Sequence, residues 1–533
     1  MRCLLKKEIP VQPRNVKGFR DISPAFNRLR WRIIDAARSV YEKYGFEHWD
    51  TPVLEYAECI GKYLPDEDEV SNGVYSFSNP EQEPVLDGRG REKRDTDNNV
   101  IMENHPLAMR YDLTAPLARL YAAVLLEKMN QGQVQGPETA PLFRRYQFGP
   151  VYRYEAKLDP GRYREFWQMD FDTAGSADAA CDAEVCRILC DSLEATGFRT
   201  GSYEVRVGHR MIHMGLFEKI GLDNDAEKAM DIIRAVDKLD RIGPEGVASE
   251  LGKGREDAQS GAFIPGLGLE QSVIDQVVDT MQATQGTSER GKVIEILKNS
   301  VGATKSGERA LKDLKRMDEA LTASGYDEDR VVFDSSIARG LAYYTGPVFE
   351  AVSKLEYRDE KGNPRRYGSI CGGGRYDGLV QSLLGMKVPA TGASIGVDRL
   401  SELLMRLETG KTASGPVIII VMEPERLGDY EAMADEIREG GVPAEVYYGS
   451  RRKMKAQMSY ADSRNAPAVV IAGSSEFDKG TVSVKDLRKG KEASSKISDR
   501  EQWTQSKPGQ VEVPRKDLVK AIEAVLSEES NHV

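Results

Sequence analysis

Cysteine is scarce in this chain of 533 residues, with six in all: Cys3, Cys59, Cys181, Cys186, Cys190 and Cys371. None forms the CxxC pair of a zinc knuckle or redox dithiol. Cys186 and Cys190 fall within DAACDAEVCRILCDSLEA, whose apolar period is that of an amphipathic helix. Buried thiols are expected there rather than a metal site. Histidine is also sparse, and His209 and His213 stand four apart without an HExxH frame, so they read as one helix surface. Long apolar runs are missing. The run at 417–422 is the longest of the C-terminal third, far below the ~20 residues that span a bilayer. The start, MRCLLKKEIPVQPR, meets charge and proline before any apolar stretch. No secretory signal and no membrane association are expected, and unpaired thiols fit a reducing cytoplasm.

A basic excess is absent too. The net charge of -11 argues against a surface built as a whole for nucleic acid, although local RNA contacts depend only on where basic side chains sit. From Pro416 onward the balance is nearly neutral, and the cluster RRKMK at 451–455 reads either as a solvated helix face or as a binding patch.

Nucleotide loops are likewise missing: no GxxxxGK[ST] occurs and no GxGxxG follows a strand. Gly372, Gly373 and Gly374 precede Arg375 and suit either a phosphate loop or a tight turn. Any phosphate would therefore fall to arginine side chains. Arg153 in VYRYE, Arg339 in IARGLAYYTG and Arg399 in IGVDRL are each bracketed by apolar residues. A buried arginine needs an anion, and a structural salt bridge would satisfy any one of them. The stretch REFWQMDFDTAG adds a second clue. Counted by twos, it puts Phe166, Gln168, Asp170 and Asp172 on one strand face and Trp167, Met169, Phe171 and Thr173 on the other. Three arginines beside an acid-bearing strand face point to a cleft for an anionic, multi-phosphate ligand.

The length suggests three or four domains. Ser23 and Pro24 predict an N-cap and first turn, and Leu29, Ile33, Ala37, Val40 and Tyr44 continue as an amphipathic helix ending near Gly45. FEHWDTPVLE reads as a strand broken by Pro52, hence an edge or a bulge. The polar stretch 78–104 reads as an exposed hairpin insertion or a flexible loop. MRYDLTAPLARLYAAVLLEKM predicts a short strand leading into a helix. A helix over 176–200 precedes a mainly helical block at 203–330 without an active-site signature. Strands return after it, and from Pro416 strands and helices alternate as a small α/β domain.

Several segments together carry a resemblance. GPVYRYE followed by GRYREFWQMDFD resembles motif 2 of the class II aminoacyl-tRNA synthetases, GASIGVDRL resembles their motif 3, and the helix leading to Pro52 resembles their motif 1. RGLAYYTG at 339–346 and GGGRYDGL at 372–379 resemble the histidine signatures of the histidyl-tRNA synthetase family. The resemblance implies an α+β fold: a class II antiparallel sheet flanked by helices, with a helical insertion and an anticodon-binding α/β domain. Its divisions would be 1–202 and 331–410 for the catalytic domain, 203–330 for the insertion and 416–533 for the anticodon-binding domain.

The implied activity is activation of L-histidine with ATP and Mg²⁺ to histidyl-adenylate and pyrophosphate, then transfer to the 3′ end of tRNA(His), by a homodimer. In the resemblance Arg153 holds the α-phosphate, Glu155 reads the adenine, Phe166 stacks on it and Arg399 grips the nucleotide near its terminal phosphate. Arg153 and Arg339 would flank the developing charge. Asp112, Thr114, Gln168, Asp172, Arg339, Tyr343, Tyr344 and Tyr376 would line the histidine pocket, with Asp172 and Tyr344 at the ring. Asp112 and Asp172 stand where many relatives carry glutamate, and Ala342 stands where aspartate is frequent. The rival is a histidine-binding regulatory paralogue without aminoacylation activity. Such paralogues typically lack the C-terminal domain and ATP-site residues that this sequence retains.

Overall fold

Ser23 starts the first helix as the sequence predicts: its Oγ accepts the Phe26 N–H at 3.3 Å, and Pro24 occupies the first turn. Helix α1 (Pro24–Lys43) buries Leu29, Ile33, Ile34, Ala37, Val40 and Tyr41 along one stripe. Gly45, at φ +79°, turns the chain into the sheet. The computed structural model describes residues 13–61, 73–87, 90–154, 162–256, 261–337, 344–358, 362–407, 415–489 and 509–530. It forms two compact units, Met1–Leu407 and Glu408–Val533.

Among the described residues the first unit is built on an eight-stranded sheet. Its strands are β1 (Glu47–His48), β2 (Phe143–Tyr152), β3 (Glu165–Ala174), β4 (Tyr203–His209), β5 (Val331–Phe333), β6 (Pro347–Arg358), β7 (Pro364–Arg375) and β8 (Ala390–Gly396). Their spatial order is β1-β2-β3-β8-β7-β6-β4-β5. The two outer pairs, β1 with β2 and β4 with β5, are parallel; all inner pairs are antiparallel. β1 is an edge strand that ends before Pro52, after which Leu54–Tyr56 joins a separate small sheet. A proline that cannot donate to a ladder marks the boundary.

Two sequence expectations need correction here. The segment 203–209, placed in the helical block, is a strand of the main sheet, because Tyr203, Val205 and Val207 alternate inward and pair with β6. The described helices of the block begin at Arg210 and reach Ala323. His209 and His213 do not form a helix surface, since each is 2% exposed. The helix Arg210–Ile220 packs against the helix Lys305–Ala323, which turns its histidine side inward. His209 Nδ1 accepts the Met211 N–H at 3.1 Å, and its Nε2 lies 3.3 Å from an Asp313 carboxylate oxygen. Burial pushes the His213 imidazole down to about 4, so it stays neutral.

Helices α2 (Thr114–Asn130), α3 (Ala180–Ala195) and α4 (Val397–Leu407) complete the frame. α1, α3 and α4 bury Met169 and Phe171 of β3, together with the fully buried Cys186 and Cys190. Asp398 on α4 accepts from Arg30 Nε at 3.1 Å and from Arg20 Nη2 at 3.1 Å, which ties α4 to α1. The 78–104 stretch is a hairpin: Glu83–Pro84 pairs with Met102–Glu103, with further bridges from Leu86 to Glu92 and from Arg94 to Val100.

In the second unit the strands are β9 (Val417–Val421), β10 (Ala444–Val446), β11 (Ala468–Ala472), β12 (Thr481–Asp486) and β13 (Gln510–Pro514). They form a sheet in the order β10-β9-β11-β12-β13. Ile419 and Val421 face one core and Ile418 and Ile420 another, as expected of a parallel sheet centre covered on both sides. Arg451, Arg452, Lys453, Met454 and Lys455 are all exposed at the start of the helix Met454–Ser463. No helix among the described residues is long and apolar enough to cross a membrane.

Candidate active site

β3 behaves as its alternation predicts. Met169 and Phe171 enter the core, while Phe166, Gln168, Asp170 and Asp172 occupy the opposite face. Neighbouring strands set what stands beside them. On β2, Arg145 is opposite Asp172, Gln147 opposite Asp170 and Val151 opposite Phe166. On β8, Gly392 is opposite Asp172 and Ser394 opposite Asp170.

The glycines at 372–374 form neither a phosphate loop nor a tight turn, because all three lie within β7. For Gly373 and Gly374 the lack of a side chain is a packing requirement, whereas a Cβ on Gly372 would meet only the Phe349 carbonyl at 3.9 Å. A Cβ on Gly373 would overlap the Gly392 carbonyl, and one on Gly374 would come within 2.6 Å of the Tyr344 ring. A Cβ on Gly392 would overlap the Asp172 carboxylate. Glycine on two adjacent strands thus leaves room above the sheet for Asp172 and Tyr344.

One end of the face is cationic and aromatic. The Arg153 guanidinium lies 4.3 Å from the Tyr111 ring centroid and 5.2 Å from that of Phe166, and its Nε donates to the Tyr111 carbonyl at 3.1 Å. Among the described residues no carboxylate pairs with it. Such a guanidinium, held by aromatic faces and one carbonyl, has donors left for an anion. Gly396 pairs with Gln168, so α4 starts near this end and places half-buried Arg399 in its first turn.

The other end is acidic and phenolic. Asp172 receives the Tyr376 hydroxyl on Oδ1, and its Oδ2 lies 3.1 Å from Arg145 Nη2. Arg145, 1% exposed, also donates to the Leu113 carbonyl at 2.6 Å. Asp112 Oδ1 accepts the N–H groups of Thr114 at 3.0 Å and Ala115 at 2.9 Å, so it caps α2 from the pocket edge. Burial, and then the charges of Asp112, Asp170 and Asp172, hold the Tyr344 phenol well above its usual range. Tyr344 therefore serves as a hydroxyl at neutral pH. Between the two ends, Gln168 Nε2 donates to Ser394 Oγ at 2.9 Å.

The sheet therefore brings together Arg153, Phe166, Gln168, Asp172, Tyr344, Tyr376, Asp112 and Thr114. Glu155, Arg339 and Tyr343 lie outside the described residues. Sequence reading assigned no role to Arg145, Asp170, Ser394 or Tyr111. Arg145 was accessible to the same counting by twos, which puts it with Gln147, Gly149 and Val151 on the polar face of β2.

Asp170 is 3% exposed, and its carboxyl is pushed up to about 7 by burial first and by the Asp172 charge second, against the pull of Arg145 and the Ser394 hydroxyl. A folded value above the unfolded one means that stability present at acid pH is lost as pH rises towards and through 7. Asp170→Asn is expected to raise the melting temperature at pH 8, with the gain shrinking towards pH 5, as measured by thermal unfolding at the two pH values.

Comparison with known proteins matches this geometry. A family model for histidyl-tRNA synthetase covers residues 81–400, and an anticodon-binding domain model covers 416–524. A histidine-tRNA ligase of Ruegeria sp. (strain TM1040) is 42% identical over 97% of this chain and 96% of its own length. One from Paracoccus denitrificans is 41% identical over 98% and 99%. In structure, the histidyl-tRNA synthetase from Nostoc sp. superposes with a TM-score of 0.68 at 24% identity, covering 96% of this chain and 99% of the other, and supports the fold. A class II antiparallel sheet with this polar face, followed by an anticodon-binding domain and matched at this identity over nearly its whole length, establishes that the chain belongs to the histidyl-tRNA synthetase family.

Proposed function

We propose that the protein activates L-histidine with ATP and passes the histidyl group to the terminal adenosine of tRNA(His). The single observation that carries this reading is the two-ended polar face of the sheet. A stacked arginine that pairs with no carboxylate among the described residues stands at one end, and an acidic, phenolic pocket built around Asp172, Tyr344 and Tyr376 stands at the other. The membership of the family and its full-length relatives make the protein an ATP-dependent aminoacyl-tRNA ligase.

The chemistry follows from the side chains. Phe166 and Arg153 hold the base and α-phosphate, with Glu155 on the adenine and Arg399 towards the terminal phosphate. Mg²⁺ arrives on the phosphates of ATP as part of the substrate, since it binds chiefly through phosphate oxygens and water. Asp112, Thr114 and Gln168 meet the histidine ammonium, while Asp172, Tyr344, Tyr376 and Tyr343 enclose the ring. The histidine carboxylate attacks the α-phosphate in line, the bond to the bridging oxygen breaks, and pyrophosphate leaves. Arg153 and Arg339 offset the charge that develops on the equatorial oxygens. No side-chain nucleophile is needed, because positioning supplies most of the acceleration.

The second unit approaches the anticodon, in keeping with its family model. A homodimer fits the outer edge of the sheet, where β1 has no partner strand on its far side among the described residues and Trp31 of α1 is 44% exposed beside Phe148 and Trp167. Assembly and reaction both belong in the cytoplasm. The test is amino-acid-dependent exchange of labelled pyrophosphate into ATP. Exchange with histidine alone among the twenty amino acids is the expected result. Histidine binding without any exchange would overturn the ligase reading in favour of a regulatory role.

A further inference from the structure

We propose that Arg20 is a positioning residue for ATP, bridging the chain that leads into β3 and the helix α4, so that Arg399 is held in place before the nucleotide arrives. The inference rests on the ATP-using reading above, in which Arg153 and Arg399 grip the nucleotide from different segments. It names a residue without a role in the sequence reading.

The Arg20 guanidinium is engaged on its edge and on its face. Its Nη1 donates to Glu402 Oε1 at 2.9 Å and its Nη2 to Asp398 Oδ2 at 3.1 Å. These two acids stand immediately before Arg399 and one helical turn after it on α4. The same guanidinium lies 3.5 Å from the centroid of the Tyr163 ring and 4.6 Å from that of Phe26. Glu402 also meets the Tyr163 hydroxyl, and its Oε2 accepts the Tyr367 hydroxyl at 2.6 Å. A flat cation that stacks on one element while its donors reach another fixes both, which a lysine at the same position would not do.

The backbone around Arg20 makes the same junction. The Arg153 N–H donates to the Arg164 carbonyl at 3.0 Å, and the Arg164 N–H donates to the Gly18 carbonyl at 2.9 Å. Gly18, at φ +87°, permits this approach, since a Cβ there would come within 2.5 Å of Arg164 Cδ. One end of the bridge is thus bonded through Arg164 to Arg153, and the other holds the helix turn that carries Arg399. Two cations that share one multi-phosphate ligand bind it best when their separation is already fixed, because ordering them on binding costs affinity. The fold does not hang on this bridge. Arg30 of α1 pairs with Asp398 independently, Nη2 to Oδ1 at 2.9 Å, and Glu402 keeps the hydroxyls of Tyr163 and Tyr367. Loss of Arg20 therefore leaves neither acid without a donor.

Full-length variants test the assignment by pyrophosphate exchange and by direct titration with ATP. Arg20→Met keeps the stem and removes the charge and the flat face, and it is expected to raise KM for ATP about 5- to 50-fold, with KM for histidine within about twofold of wild type. Arg20→Lys keeps the charge without the stacked fork and should fall between the two. Placed in an Arg399→Gln background, Arg20→Met should add less than about twofold, because its effect passes through Arg399. A residue that merely supports the fold would give neither the split between substrates nor that loss of effect. An unchanged KM for ATP, equal rises for ATP and histidine, or a full effect in the Arg399→Gln background overturns the assignment, and Arg20→Lys decides it where Arg20→Met does not fold. Wild-type protein that fails to exchange strikes the ligase reading instead, and titration with ATP then still decides the role of Arg20.

Discussion

Replacing Arg153 by glutamine is expected to lower histidine-dependent pyrophosphate exchange by roughly 10²–10³-fold, the usual loss on removing one transition-state donor. The guanidinium is held between the Tyr111 and Phe166 rings with one N–H on the Tyr111 carbonyl, so its orientation is fixed before any ligand arrives. Preorganised charge of this kind acts on the charge that develops during attack, so the fall should appear in kcat more than in KM for histidine. Arg153→Lys keeps the charge but loses the planar fork and its stacking, and it should recover only part of the rate. The variants should melt within a few degrees of wild type, because no carboxylate among the described residues depends on Arg153. An unchanged kcat in Arg153→Gln would remove this residue from the reaction.

The second large effect concerns an arginine that belongs to the architecture and not to the chemistry. Arg375 lies in GGGRYDGL, yet it points away from the pocket into a buried pair with Asp182. Its Nε and Nη2 reach Oδ2 at 2.9 and 2.6 Å, and Nη1 donates to the Ser176 carbonyl at 2.9 Å. Thr391 donates to the other oxygen of Asp182 at 2.7 Å. The acid is fully buried and the arginine 4% exposed. Asp182→Ala would strand a guanidinium away from water, and a loss of about 3–5 kcal/mol in unfolding free energy is expected by urea denaturation. Replacing both partners with apolar residues, as in D182L/R375M, should recover most of that loss, because the stranded charge rather than the missing bond carries the cost. A single variant as stable as wild type would refute the argument.

These two arginines show what could and could not be read from the chain. Local signals were plain: the Ser23–Pro24 start of α1, the alternation along β3 and the amphipathic period around Cys186 all appear in the fold. Each depends on neighbours a few residues away. The glycines before Arg375 were misread because their reason is non-local. Gly373 and Gly374 face Gly392 and Tyr344 across strand pairings and tertiary contacts that no short window contains. The same holds for His209 and His213, whose four-residue spacing suggests one helix face but says nothing of the strand that ends at His209 or of the second helix packed over His213. The strand at 203–209 carried a period-two signal in Tyr203, Val205 and Val207. It was overlooked because it abuts a long helical run.

The candidate site was legible as a set of residues but not as an arrangement. Family motifs pointed to Asp172 and Arg153. They did not show that Asp172 would be held by Arg145, a residue 27 positions earlier that only strand pairing brings alongside. Asp170 was visible on the polar face, yet its unmet oxygen appears only once burial and partners are known.

The order of strands has a consequence for how the protein is made. β8 lies between β3 and β7, so the edge of β3 that carries Gln168, Asp170 and Asp172 is emitted from the ribosome long before its partner exists. At 5–20 residues per second, the interval between Ala174 and Ala390 takes roughly 10–40 s. During that time an unpaired strand with an apolar reverse face waits in the nascent chain, a template for wrong pairing. The acids on its other face then have a part to play before any substrate is met. Their charge makes stacking against a second copy of the same strand unfavourable, so the acids proposed to line the substrate pocket also disfavour wrong pairing in the half-made protein.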